Sequence, residues 1–271
     1  MFDFNIKTPS DEDVKKESIE LAQNNPNRFS AWYPAVKNVV DTPKTSILSM
    51  SYELVSDILD NRGSDEAMQE IKRLSDEVHA FAKVHGYPVF LKNGLFSAKH
   101  DWQNTCCVSE GSNVIANIAG IVARWGMVGA TPSFELVVRK MIDTIPAFHA
   151  FYGEMPITRE FRFFSSAENV VSYQPYWPEG AIERQSVDVD NWRELLASMN
   201  QLTPLEKTEL IAKASLVASK LSGEWPDFHA EKSDSWSIDF LQDKHGNWWL
   251  IDVAQAHESY KMNDHEGLVA L

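Results

Sequence analysis

Residues 236–255, W-S-I-D-F-L-Q-D-K-H-G-N-W-W-L-I-D-V-A-Q, constrain the fold more than any other stretch, because two runs of strand composition flank one turn signal. A two-residue turn at His245-Gly246 suits a tight hairpin, since glycine takes positive φ at no steric cost. That turn pairs Lys244 with Asn247, Asp243 with Trp248 and, four steps further out, Asp239 with Asp252. Ile238, Phe240, Ile251 and Val253 alternate with the aspartates and are expected on the opposite, core face. Carboxylates directly across an antiparallel pair, with Cβ atoms about 5 Å apart, repel each other. A compensating cation resolves this, and Mg²⁺ held by one or two carboxylates plus phosphate oxygens is one such cation. A solvated polar face with screened charges is the other account of the same residues.

A chain of 271 residues suffices for one large domain or two smaller lobes. Its 25 Lys and Arg against 39 Asp and Glu give a net charge of −14, which argues against a broad footprint on nucleic acid and leaves room only for a small basic pocket. The amino terminus carries Asp3, Asp11, Glu12 and Asp13 without an apolar core, and no apolar run reaches membrane-spanning length. Neither signal peptide nor membrane segment is therefore expected, and the expected location is cytoplasmic, in a cell or an infected host. Adjacent Cys106 and Cys107 exclude a disulfide framework and are expected reduced and buried. The eight histidines are scattered without metal-ligand spacing, no Ser-His-Asp arrangement is evident, and G-x-x-x-x-G-K-[ST] does not occur.

No repeat or Gly/Ser linker divides the chain. A polar helix is expected near residues 11–24, followed by a segment around Trp32-Tyr33-Pro34 and a helix after Ser51. Met68, Ile71, Leu74, Val78, Phe81 and Val84 recur at helical spacing as a core stripe that Gly86 ends. Tyr87 to Phe96 reads as a strand, and Val114, Ile115, Ile118, Ile121, Val122 and Trp125 as a buried helix face. Phe134 to Ile142 is an apolar strand ending in two cations. Arg159–Phe164 and Val170–Tyr176 form a strand pair around Ser166-Ala167-Glu168-Asn169. Thr203-Pro204-Leu205-Glu206 combines a capping box with proline at the first helical position, opening a helix that Gly223 is expected to close. Helices gathered around strands joined by short turns make the fold class α+β, with largely antiparallel sheets.

Several cations sit where strands should be apolar. Lys92 follows Val89, Phe90 and Leu91, where a charge needs a groove or an anion. Phe96 to Trp102 is a polar turn carrying Lys99, of the kind that folds over a phosphate chain. In Arg159-Glu160-Phe161-Arg162-Phe163-Phe164, alternation puts Glu160 and Arg162 on one face and Phe161 and Phe163 on the other. An exposed cross-strand ion pair, worth little, is the alternative there. Arg139-Lys140 reads equally as a plain strand end. Trp32, Trp102, Trp177, Trp225, Trp236, Trp248 and Trp249 are more than a core obviously needs. Trp248 and Trp249 must point to opposite faces, and Tyr173, Tyr176 and Trp177 are candidates to flank an acceptor site.

Taken in order, L-V-V-R-K at Leu136–Lys140, then R-E-F-R-F-F, S-Y-Q, I-D-F and L-I-D-V resemble the ATP-grasp proteins of the cell division cycle protein 123 family, with its phage and bacterial relatives the nearer comparison. The resemblance runs roughly from Tyr87 to Gln255. It implies two α+β lobes, 87–140 small and 141–271 large, clasping ATP and Mg²⁺ between largely antiparallel sheets, after a helical or mixed region 1–86. It further implies Lys92 and Lys99 on the phosphates, Arg139 and Lys140 at the hinge beside the adenine, and Glu160 and Arg162 toward the nucleotide. Lys99 and Arg162 become the catalytic candidates, and Asp239 and Asp252 the metal ligands. Two positions depart from the pattern. Asp252-Val253-Ala254 stands where Asp-Phe-Asn is usual, making Gln255 or His257 the candidate substitute. Ser172-Tyr173-Gln174-Pro175 only partly matches S-Q-R, leaving Arg184 as a distant candidate for the missing arginine. The activity implied is an ATP-dependent ligase that activates a carboxylate as an acyl phosphate for attack by an amine, on a small molecule or peptide. The alternatives are a nucleotide-dependent assembly factor gripping a protein partner, as eukaryotic members do with a translation initiation factor, and a degenerate fold that binds no nucleotide.

Overall fold

Serine hydroxyls open three of the first four helices of the computed structural model, which describes residues 10–128, 133–151, 154–167, 169–224, 236–263 and 267–271. Ser10 and Asp13 form a reciprocal capping box on α1 (Asp11–Gln23). Ser51 and Ser64 accept the backbone N–H of Leu54 and Ala67 at the starts of α3 (Tyr52–Leu59) and α4 (Asp65–His85). Gly86 ends α4 at φ +88°. The core stripe of α4 is Ala67, Ile71, Leu74, Val78 and Ala82, whereas Met68 and Val84 are 53% and 76% exposed, contrary to the expectation. Alanines take the flanking positions because α4 packs closely on α3 and on α5 (Val114–Val128). Trp225 and Glu168 lie outside the described residues.

Among the described residues two antiparallel sheets dominate. The first has the order β1 (Thr45–Ser49), β4 (Glu135–Lys140), β2 (Val89–Asn93), β3 (Cys107–Val108). Residues before Tyr87 thus supply one strand of this layer and two of the helices against it. Leu48, Val89, Leu91, Leu136 and Val138 face α3, α4 and α5, while Ile47 and Val137 on the opposite face join a second core. Lys92 pairs in register with Val137, and Arg139 alternates with it, so both cations share that opposite face.

The second sheet runs β10 (Trp248–Gln255), β9 (Trp236–Gln242), β7 (Glu160–Ser166), β8 (Asn169–Pro175), β11 (Val269–Ala270). Phe161, Phe163, Ile238, Phe240, Leu250 and Val253 bury one face against α8 (Pro204–Glu224) and against Phe29, Trp32 and Val36 of α2 (Phe29–Val36). The Thr203–Glu206 capping box is present, but α8 runs through Gly223 to Glu224. A third core gathers β5 (Phe148–Ala150), β6 (Met155–Ile157), α6 (Glu179–Ile182) and α7 (Trp192–Met199) around Trp177 and Trp192. The architecture is α+β with antiparallel sheets. No described helix is long and apolar enough to cross a membrane.

The closing hairpin differs from its expected turn. Trp248 pairs with Gln242, and Asp243 donates its N–H to Asn247 at 2.9 Å, so Lys244, His245 and Gly246 form the loop. The Asp243 carboxylate accepts the backbone N–H groups of His245 and Asn247 and the Trp249 indole, holding the longer loop. This register alone would turn Asp252 into the core. A β-bulge between Leu250 and Asp252 restores it, and Asp252 stands opposite Asp239 after all. Leu250 therefore takes the core position expected for Ile251, which lines a cleft instead.

Candidate functional site

A cleft of about 670 Å³ opens between the facing sides of the two main sheets. Tyr87, Phe90, Met141, Ile142, Leu241 and Ile251 form much of its apolar wall. One polar row crosses the second sheet, where Gln174, Arg162, Asp239 and Asp252 are successive register partners on β8, β7, β9 and β10, and its Asp239–Asp252 end lines the cleft. Lys92 reaches this row from the first sheet.

Each of the facing aspartates has its own cation. The Lys92 ammonium donates to both Asp252 carboxylate oxygens at 3.0 Å. Arg162 donates from Nε and Nη2 to the two Asp239 oxygens at 2.7 Å each, a bidentate pair. The pair is buried, unlike the exposed cross-strand pair considered from sequence. Burial works against the Arg162 guanidinium, but Asp239 outweighs it and holds the pKa above its ordinary value.

The next polar pair along the cleft is Glu160 and Lys99, separated by 3.2 Å. Glu160 alternates with Phe161, as the sequence pattern requires, so its carboxylate faces the cleft side while the ring enters the core. Burial raises the Glu160 pKa against the opposing pull of Lys99. Burial also disfavours the charged Lys99, yet Glu160 overrides it and the ammonium is held above its usual range.

Arg139 has a different task from Lys92. It is buried and donates from Nη1 to the carbonyl of Ile251 at 2.6 Å and from Nη2 to that of Leu250 at 3.2 Å. These are the carbonyls of the bulge that aims Asp252. Burial lowers its pKa to about 10, opposed by Asp252, which leaves it charged at neutral pH. Lys140 is exposed at the end of β4 and lines the cleft beside Met141.

Sequence reasoning missed Phe29, whose ring lies 5.7 Å from the Lys92 ammonium and 5.3 Å from the Arg139 guanidinium. No pattern near residue 29 signals this, because α2 meets the cations only through the tertiary fold. Cys106 is buried, but Cys107 is half-buried and lines the cleft, where burial raises its pKa. Gln255 is tied to Asn27, His257 lies against Glu258, and neither residue lines the cleft. Arg184 is exposed and does not line the cleft. The Gln174 amide braces the carboxy-terminal segment, donating to the Tyr260 carbonyl and accepting the Met262 N–H. Trp32, Trp236 and Trp248 fill the second core, while Trp249 lies on the opposite strand face.

The donor set suits a hard divalent cation. Asp239 and Asp252 offer only oxygens, directly opposed across the strand pair. Among the described residues no three or more His, Cys, Asp or Glu side chains cluster to hold a metal. A cation held here therefore requires further oxygens from a ligand or from water.

No family model matches the chain, and no curated protein sequence matches it. Among solved structures it is similar to C-terminally truncated Cdc123 from Schizosaccharomyces pombe, at 17% identity over 89% of this chain and 85% of that one, with a TM-score of 0.46. It is also similar to D-alanine–D-alanine ligase from Bacillus anthracis complexed with ATP, at 12% identity over 89% and 62% of the two chains and a TM-score of 0.44. A third similar structure is the RimK domain ATP-grasp protein from Sphaerobacter thermophilus, at 10% identity over 88% and 61%, with a TM-score of 0.43.

Proposed function

We propose that the cleft binds ATP with Mg²⁺, and that the protein is an ATP-dependent carboxylate–amine ligase whose small lobe, residues 87–140, is completed by β1, α3 and α4 and whose large lobe is residues 141–271. The observation that carries the reading is the pair of facing carboxylates, Asp239 and Asp252, each neutralised by a protein cation at hydrogen-bonding distance. Such an arrangement is complete without ligand and can exchange partners when one arrives. Carboxylates released from Lys92 and Arg162 would hold the metal. The released cations, with Lys99, would face phosphate oxygens.

The apolar wall of Tyr87, Phe90, Met141, Ile142, Leu241 and Ile251 suits the planar base, with Lys140 at the strand end beside it. Bound Mg²⁺ would neutralise phosphate charge and orient the transferring group. Arg162 and Lys99 would stabilise negative charge on that group while a substrate carboxylate attacks the γ-phosphoryl and ADP leaves. An amine then displaces phosphate from the acyl phosphate. No side-chain nucleophile is required, and positioning plus charge is what the cleft offers.

One observation favours a second reading, a nucleotide-dependent assembly factor with low turnover. Ala254 stands where the resembling family has asparagine, and Gln255 and His257 are engaged elsewhere. Titration calorimetry with ATP, with and without Mg²⁺, on wild type and Asp252→Asn tests the nucleotide site. Mg²⁺-dependent binding that Asp252→Asn weakens at least tenfold supports it, and absence of binding at millimolar ATP removes both readings. Phosphate release stimulated by carboxylate and amine mixtures then favours the ligase. Persistent binding without turnover favours the assembly factor.

A further inference from the structure

Lys99 occupies a cage of the composition that recognises ammonium groups. Its Nζ lies 3.9 Å from the centroid of the Tyr176 ring, 5.1 Å from a Trp177 ring and 3.2 and 3.4 Å from the two Glu160 oxygens. Trp177 is a buried wall, whereas Tyr176, Glu160 and Lys99 line the cleft, so the cage opens toward the ligand space. Glu160 is only 3% exposed. Asp239 is committed to Arg162 in the unliganded protein and would be taken up by the metal in the liganded one, so in neither does it serve Glu160. The four charges Glu160, Asp239, Arg162 and Lys99 therefore balance, and withdrawing Lys99 leaves one buried carboxylate uncompensated. That state is strongly unfavourable and has two remedies, a proton or another cation. The two ring faces favour the cation, since they attract an ammonium and add nothing to a neutral carboxyl.

We propose that Glu160, Tyr176 and Trp177 form a binding site for the primary ammonium group of a substrate, which Lys99 fills in the unliganded protein and surrenders when anionic oxygens enter the cleft. The trigger rests on the nucleotide reading above, while the cage itself does not. Lys99 thereby couples the two ligands: its departure toward phosphate opens the ammonium site, so the substrate that carries the ammonium group binds after the nucleotide.

Ethylammonium chloride is the probe. Lys99→Ala is expected to melt below wild type, and ethylammonium is expected to raise its melting temperature saturably. Ethanol and sodium chloride at equal concentration should not, and Lys99→Ala/Glu160→Gln should not respond to ethylammonium. A folded Lys99→Ala that is indifferent to ethylammonium overturns the cage. Wild type provides a measurement that does not depend on how Lys99→Ala folds. Calorimetric titration with ethylammonium should give binding in the presence of ATP and Mg²⁺, at least tenfold weaker binding without them, and none in Glu160→Gln. If ATP binds and ethylammonium does not, the proposal fails. If ATP does not bind while Lys99→Ala takes up ethylammonium, the nucleotide reading falls and the cage stands.

Discussion

Arg162 and Lys92 perform the same neutralisation at unequal depth, and that difference is testable residue by residue. The Asp239 side chain is 5% exposed and the Asp252 side chain 38%. Asp239→Asn leaves a buried guanidinium without its anion, which should cost about 3 kcal/mol of stability. Asp252→Asn strands the Lys92 ammonium, itself only 2% exposed, so it should cost a similar amount although water reaches the Asp252 carboxylate. Urea unfolding midpoints check this, and a clearly smaller loss for Asp252→Asn would show that the depth of the carboxylate, not of the cation, decides. Glu206 offers a pH-dependent counterpart away from the cleft. Arg159 at 2.6 Å, then the Thr203 N–H, hold its carboxyl down to about 2. A depressed acid pKa stabilises the fold above the unfolded value near 4.5, and that stabilisation is lost as the pH falls toward 2. The shift corresponds to ~3 kcal/mol as an upper figure for a partly solvated pair. Glu206→Gln should therefore be less stable than wild type at pH 7 and converge with it near pH 2 in pH-resolved denaturation. A gap that persists at pH 2 would exclude this origin.

The hairpin shows how an element can be legible in its outcome and not in its route. Apolar alternation identifies both strands and the opposition of Asp239 and Asp252, since burying one face fixes register. It does not reveal that one Asp243 carboxylate gathers several N–H groups and stabilises a three-residue loop. Nor does it reveal that a bulge then corrects the phase, because the donors meeting the bulge carbonyls come from Arg139 on another sheet. Deleting Ile251 should leave Asp252 next to Leu250 in regular alternation while removing one Arg139 acceptor. That deletion should destabilise wild type more than it destabilises Arg139→Met, with a coupling of roughly 1–2 kcal/mol in a double-mutant cycle. Additive losses would mean that Arg139 and the bulge act independently.

Across the whole molecule, the contact between the two main sheets is divided by polarity. Ile47 and Val137 carry the apolar part into the second core, and Lys92 with Asp252 and Arg139 with the bulge carbonyls make the polar part. The α+β class was legible because several strand pairs, β7 with β8 and β9 with β10 among them, are joined by turns too short for a crossover helix. The membership of β1 in the first sheet and the place of Phe29 beneath the cations were not, since both depend on distant segments meeting. A ligand that breaks the Lys92–Asp252 contact must itself bridge the two sheets, so it should stabilise the assembled form. At a hundredfold excess over its dissociation constant, ATP with Mg²⁺ should contribute about 2.7 kcal/mol. For a chain of this size that is roughly 5–10 °C in melting temperature. ATP alone should give less, because Asp239 and Asp252 would repel the uncompensated phosphates. Mg²⁺ alone should give little, because two carboxylates already held by Arg162 and Lys92 do not complete a coordination shell. Lys92→Met should fold, its stem filling the same buried space, and should lose most of the joint shift. A full shift with Mg²⁺ alone would locate a metal site elsewhere, and an undiminished joint shift in Lys92→Met would remove this lysine from the ligand's contacts.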